Sequence, residues 1–377
     1  MFVFVCAGCD APLTTPLSQV ALPVHAHQKY GNAIQLPVLM EPGTFAVETE
    51  PWGPPWRRWE EVGSEEAALR GVLAPVHALS YGASGAIVVA PGDTRGTVLF
   101  PERLGGACCG LDGREGPNAA CEACGSLVAT RIDDCSLWQA TWLAPDAVRR
   151  CPVDGGGDTD VMPLSWAELV AEGSATPPFE PVATWGGSRL GSSHFWSWSP
   201  RWVAAAGQAL AHLLAASEGR PVTVPDGLVA DLFRRALDTL LPTGPSARRA
   251  VLAGPELPAP DTGTGSDAHA HADILLVPTH PQTGETWAPA DPTTSAYWVP
   301  LPFGVWLSLV FPEPYPPVLA SGVIPLDVLR DDPLAPLPPQ PFRADPRVFH
   351  RTMARLPAVR SPWLREILKQ NSLTHLL

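Results

Sequence analysis

The chain has 377 residues, 45% of them apolar and 17% charged, with a formal net charge of −13. That length exceeds a small disulfide-stapled module and predicts two to three domains with cores of their own. The acidic balance argues against generic binding to phosphate backbones or anionic membranes. Proline (45) and glycine (33) make up about a fifth of the chain, which falls short of low-complexity disorder and predicts ordered domains joined by long loops.

The first residues, 2–5, read Phe-Val-Phe-Val and predict a strand. They lack the basic segment and full apolar stretch of an export signal, so a cytoplasmic location is expected. Cys6 and Cys9 follow at once. Of the eight cysteines, four form two Cys-x-x-Cys pairs, Cys6 with Cys9 and Cys121 with Cys124. Two thiolates three positions apart can share one tight turn, and two such turns supply the four sulfurs of a tetrahedral Zn²⁺ site. Gly125, directly after the second pair, can take the positive φ that closes its turn. Strands are predicted over 127–132 and 137–143.

Between the pairs, Ser64 followed by Glu65 and Glu66 predicts a helix over 67–72, because the hydroxyl and the acids favour the amide-rich end. Residues 86–90 and 97–100, separated by a proline- and glycine-bearing turn, predict a hairpin. The 51–59 stretch carries three tryptophans among prolines and reads as a locked loop over a core, with an aromatic binding ledge as the alternative. Asp154 to Asp160 lacks the spacing of a calcium loop and reads as a linker. The expected division is therefore a β-rich metal-bearing domain over 1–153 and a mixed region over 161–377, an α+β fold overall.

The two cysteine pairs with their flanking strands resemble a zinc ribbon, in which two hairpin knuckles share one metal. The resemblance implies Zn²⁺ held by Cys6, Cys9, Cys121 and Cys124. It covers only those segments, and the 111 residues between Cys9 and Cys121 exceed what a compact ribbon holds. A competing arrangement is a local site of Cys121, Cys124 and Cys135 with Cys108 or Cys109, leaving Cys6 and Cys9 to His25 and His27. Cys151 reads as a buried thiol. As a whole the chain resembles uncharacterised proteins of GC-rich actinobacteria, a resemblance that implies no activity.

In the second region, Ser165 to Glu168 is a capping box that starts a short helix. Ser199 and Pro200 start a helix over 202–216, and 227–241 carries a leucine stripe. The aromatic cluster around His194 reads as a hydrophobic lead-in. A loop over 254–268 ends at His269, His271 and Asp273, with His280 beyond a short apolar run. Alternating histidines can begin a catalytic metal site. The segment resembles the His-x-His-x-Asp of metallo-β-lactamase-like hydrolases, although Ile274 stands where those enzymes carry another histidine, or the His-x-His of amidohydrolases. That resemblance implies a metal-dependent hydrolase with His269, His271 and Asp273 as ligands and His280 as a fourth ligand or general base. Walker, dinucleotide and nucleophile-elbow motifs are absent.

After an extended proline-rich stretch over 333–346, residues 341–377 carry 7 bases against 2 acids. A helix over 347–356 aligns Arg347, Arg351 and Arg355 on one face. That face either contacts an acidic partner or RNA or packs on the acidic body of the same chain. No apolar run reaches the roughly 18 residues of a membrane span. The function class that follows is a non-catalytic, zinc-stabilised binding or interaction protein with a protein partner, the metal-dependent hydrolase being the alternative.

Overall fold

The computed structural model describes residues 1–29, 34–103, 111–153, 162–188, 191–244, 246–258, 272–289, 296–312 and 341–369. Strands and helices are both well represented, so the fold is a mixed α+β one. The chain divides into two units: Met1–Ser165 with His280–Glu285 and His350–Arg365, and the remainder.

The first unit is built on a seven-stranded sheet ordered Ser18–Gln19, Thr44–Glu48, Ala86–Val89, Ala140–Leu143, Leu127–Ile132, Ala119–Cys121, Thr97–Leu99. Both faces are covered, which period-two alternation makes possible. Phe45, Ile87, Val89 and Leu143 point to one face and join Phe4, Leu13, Leu17 and Val148 in a core. Their neighbours Ala46, Ala86, Val88 and Trp142 point to the other and pack with Leu36, Leu39, Met40 and Trp138. The N-terminal strand Phe2–Cys6 lies outside this sheet, antiparallel to Val148–Pro152. Phe4 nevertheless inserts its ring edge-on against Phe45, 5.0 Å between centroids.

Strands Ala86–Val89 and Thr97–Leu99 form where expected, but not as a hairpin. Ala86–Val89 pairs with Thr44–Glu48 and Ala140–Leu143 in the sheet centre, whereas Thr97–Leu99 pairs with Ala119–Cys121 at the edge. The physical reason is burial: Ala86 to Val89 are buried on both faces, a central-strand environment, while Val98 and Leu99 are half exposed. The helix predicted after Ser64 starts at Ser64 itself and ends at Leu69. Trp52 stacks on Trp142, 4.4 Å apart at 13°, so this tryptophan does cover the core; Trp56 remains half exposed.

The second unit contains a four-stranded parallel sheet in sequential order: Val222–Thr223, Arg248–Leu252, Ile274–Thr279, Tyr297–Pro302. Ile274 through Val277 are fully buried, as parallel strands covered on both faces must be. The helix Leu228–Leu240 provides the crossover between the first two strands. Pro200–Ser217, rich in alanine and leucine, is buried almost along its whole length. Its Gly207 admits the carbonyl of Asp345, which a Cβ would meet at 2.6 Å. Asp345 in turn caps the helix Pro346–Met353, its Oδ1 accepting the amides of Arg347 and Val348 at 2.8 Å each. The apolar 301–311 segment forms the buried helix Phe303–Val310. Among the described residues no helix is long and apolar enough to cross a membrane.

Candidate metal centre

Two turns with the same hydrogen-bond plan carry the four cysteines. In the first, the strand Phe2–Cys6 ends at Cys6, whose amide donates to the Ala11 carbonyl at 2.8 Å while its carbonyl accepts from Asp10 at 2.9 Å. In the second, Ala119–Cys121 ends at Cys121, whose amide donates to Ser126 O and whose carbonyl accepts from Gly125 N, both at 2.8 Å. The residue after each Cys-x-x-Cys is left-handed: Asp10 at φ 60° and Gly125 at φ 76°. Short polar Asp and Gly are the residue types that tolerate this conformation. Arg149 forms an ion pair with Asp10 on the first turn.

The turns meet. The four Sγ atoms of Cys6, Cys9, Cys121 and Cys124 all lie within 4.8 Å of one another. Cys6 Sγ is 3.6 Å from Cys124 Sγ, and Cys9 Sγ is 3.7 Å from Cys121 Sγ. Zinc–sulfur bonds of about 2.3 Å in a tetrahedron put sulfurs about 3.8 Å apart. A disulfide requires about 2.05 Å. The spacing therefore fits a shared four-sulfur metal site, and the donor set is one that soft thiolate-binding ions favour. Cys6 and Cys121 are fully buried, continuous with the core of Phe4, Leu13 and Val128, whereas Cys9 and Cys124 are exposed.

Charge in the cluster is unevenly held. The hydroxyl and amide of Ser126 beside Cys124 bring its thiol down to about 6. At Cys9 the Ala11 amide favours the thiolate, but the neighbouring sulfurs, Cys124 foremost, prevail and push it up to about 12. Four thiolates this close cannot all ionise unless a cation sits among them.

Among the described residues the grouping differs from the competing local arrangement. Cys6 and Cys9 group with Cys121 and Cys124, so they need no histidines: His25 lies against Trp138, 4.3 Å between rings, and His27 pairs with Glu48. Cys135 is outside the group, and Cys151 is half-buried on Val148–Pro152 opposite Val3. Cys108 and Cys109 lie outside the described residues.

Of the second candidate site, His269 and His271 lie outside the described residues, as do Asp154 to Asp160 and the side chain of His194. Asp273 precedes the strand Ile274–Thr279, and its Oδ2 accepts the Arg249 amide at 2.8 Å. His280, beyond the strand's other end, is buried with both ring nitrogens engaged. Nε2 lies 2.8 Å from the Leu164 carbonyl, and Nδ1 accepts the amides of Gln282 and Thr283 at 3.1 and 3.2 Å. Both ring nitrogens of His280 are thus hydrogen-bonded to backbone groups of the protein.

A cluster that the sequence reading did not assemble also lies in the first unit. Glu50 accepts from Arg355 Nε and Nη2 at 2.7 Å each and from Arg351 Nη2 at 2.8 Å. Buried Glu48 pairs with His27 and lies 3.6 Å from Arg351 Nη2. Arg351 and Arg355 of the arginine face are thus engaged by acids of their own chain. The available signal was Glu48 itself, a charge at an inward position of the alternating Thr-Phe-Ala-Val-Glu strand.

Comparison of the chain with family models, curated proteins and solved structures finds no match.

Proposed function

We propose that Cys6, Cys9, Cys121 and Cys124 hold one Zn²⁺ as a structural centre of zinc-ribbon type, and that the chain is a non-catalytic, zinc-stabilised interaction protein of the cytoplasm. The observation that carries this reading is the convergence of four sulfurs within 4.8 Å from two turns of one hydrogen-bond plan. All four positions are filled by protein sulfur, which leaves no open place for substrate or water, the arrangement of structural rather than catalytic zinc. When bound, the ion supplies charge neutralisation and a cross-link; the chain's residues position it. The buried pair, Cys6 and Cys121, anchors the centre in the core, and the paired turns fix the directions of the exposed pair.

The test is metal content by mass spectrometry on wild-type protein, Cys121→Ser and His269→Ala. One zinc per chain, lost in the cysteine variant and kept in the histidine variant, supports the reading. Zinc kept in Cys121→Ser and lost with His269 supports a hydrolase instead, and a folded wild-type protein without metal overturns both.

A further inference from the structure

The four sulfurs are not equivalent, and their inequality has a direction. Each exposed cysteine has a buried one across the two turns at close range: Cys124 with Cys6 at 3.6 Å and Cys9 with Cys121 at 3.7 Å. An exposed thiolate is what a small oxidant reaches, and a nearby second thiol is what resolves the product. We propose that Cys124 and Cys9 are peroxide-modification sites whose resolving partners are Cys6 and Cys121, so that oxidation converts the four-sulfur centre into cross-turn disulfides. The inference rests on the metal-centre reading for its consequence, release of the ion, but not for its linkage.

The chemistry balances in two steps. The thiolate of Cys124 attacks the distal oxygen of hydrogen peroxide; the O–O bond breaks, and sulfenic acid and, after protonation, water form. The Cys6 thiol then displaces hydroxide from that sulfenic sulfur, giving the Cys6–Cys124 disulfide and a second water. Sulfur is oxidised and peroxide is reduced, with two electrons passing in all. Bound to the ion, Cys9 is a thiolate as well, and with Cys121 it follows the same course. After one disulfide the site retains two thiolates, too few to hold the ion in a four-sulfur centre.

The cross-turn linkage matters because of what it joins. A disulfide within either Cys-x-x-Cys would leave the two turns unconnected once the metal is gone. Cys6–Cys124 spans 118 positions and Cys9–Cys121 spans 112, so either bond keeps the N-terminal strand tied to the sheet. Oxidation would then empty the centre while preserving the clamp, a switch in surface charge and metal load without unfolding.

The experiment treats full-length wild-type protein with hydrogen peroxide, following zinc with a chromogenic chelator and mapping disulfides in non-reduced peptides. The expected result is release of one zinc per chain together with Cys6–Cys124 or Cys9–Cys121 peptides, reversed by reductant, with Cys124→Ser still forming Cys9–Cys121. Peptides linked as Cys6–Cys9 and Cys121–Cys124, or sulfinic and sulfonic acids alone, would overturn the inference. Zinc content before peroxide tests the metal reading separately: protein purified without metal that still forms cross-turn disulfides sinks that reading and keeps the linkage.

Discussion

Arg355 grips Glu50 with two parallel hydrogen bonds, Nε to Oε1 and Nη2 to Oε2, each 2.7 Å long, across 305 positions of sequence. Such a fork is the strong form of the arginine–carboxylate contact. Both side chains are about one-third exposed, so solvent screens part of the attraction. A double-mutant cycle of Glu50→Gln and Arg355→Met is expected to give a coupling of about 1–2 kcal/mol in denaturant unfolding. Strictly additive single effects would show the pair to be ornamental.

Acid should loosen the same cluster. Burial alone would raise Glu48 and Glu50, but His27 at Glu48, and Arg355 and Arg351 at Glu50, hold both carboxyls below their usual range. A depressed carboxyl contributes stability that is complete above its unfolded value near 4.5 and is lost as pH falls through the folded value. Burial, with Arg351 adding to it, lowers His27 below 6.5, so His27 too favours the folded state above 6.5 and withdraws that support on acidification. All three act in one direction: the melting temperature of the first unit should fall from pH 6.5 downward. In His27→Gln the decline below pH 6.5 should become shallower, what remains above the carboxylate range coming from His350, which burial also lowers. An unchanged wild-type profile in that variant would remove His27 from the account.

Loss of the metal centre should be felt in stability as well as in metal content. Cys121→Ser removes one of the four converging sulfurs from a fully buried position. A loss of about 3–5 kcal/mol, at roughly 2–4 °C per kcal/mol for a unit of this size, lowers its melting temperature by about 10 °C. Calorimetry with and without a chelator checks this, since the variant should no longer respond to chelation.

Gly125 and Asp10 occupy the same place in their turns, yet differ in what replaces them. Gly125→Val puts a β-branched side chain at φ 76°, which costs about 1–2 kcal/mol and weakens zinc retention in chelator competition. Asp10→Gly relieves the backbone while losing the Arg149 ion pair, so its retention should stay within a factor of a few of wild type.

In the second unit, Gly254 sits under the indole of Trp306, which donates from Nε1 to Ala253 O at 3.0 Å. A Cβ at residue 254 would lie 2.2 Å from Trp306 Cζ2. Gly254→Ala should destabilise this unit by about 1–3 kcal/mol, read by chemical unfolding followed through tryptophan fluorescence. Wild-type stability would mean that the indole moves aside at no cost.

What could be read from residues alone followed the range of the physics involved. The strand Leu127–Ile132 and the helices Pro200–Ser217 and Leu228–Leu240 come from local alternation, caps and stripes, and these were legible to within a residue or two. The cysteine pairs stood out because a shared metal would demand that spacing within each pair, and their four sulfurs do converge. Sheet order was not: Ala86–Val89 and Thr97–Leu99 carry the marks of a hairpin, and only competition for central burial separates them. The partners of Arg351 and Arg355 were equally hidden, since an arginine stripe advertises its need for acids without saying which of 38 will answer. The parallel order of the second unit's strands was not legible either: the crossover helix Leu228–Leu240 shows itself by its stripe, but nothing local says how the strands on either side of it align.

The pairing of a turn at Cys6 with one at Cys121 sets a schedule for a growing chain. Cys6 and Cys9 leave the ribosome first, and Cys121 follows 112 positions after Cys9. At about 5–20 residues per second, the first turn waits roughly 6–22 s before its counterpart exists. During that interval it is a two-thiol half-site, exposed to any soft metal or oxidant in the surrounding fluid. The left-handed Asp10 and the Cys6–Ala11 hydrogen bond make that turn a local structure, one that can form during the wait and hold its sulfurs ready.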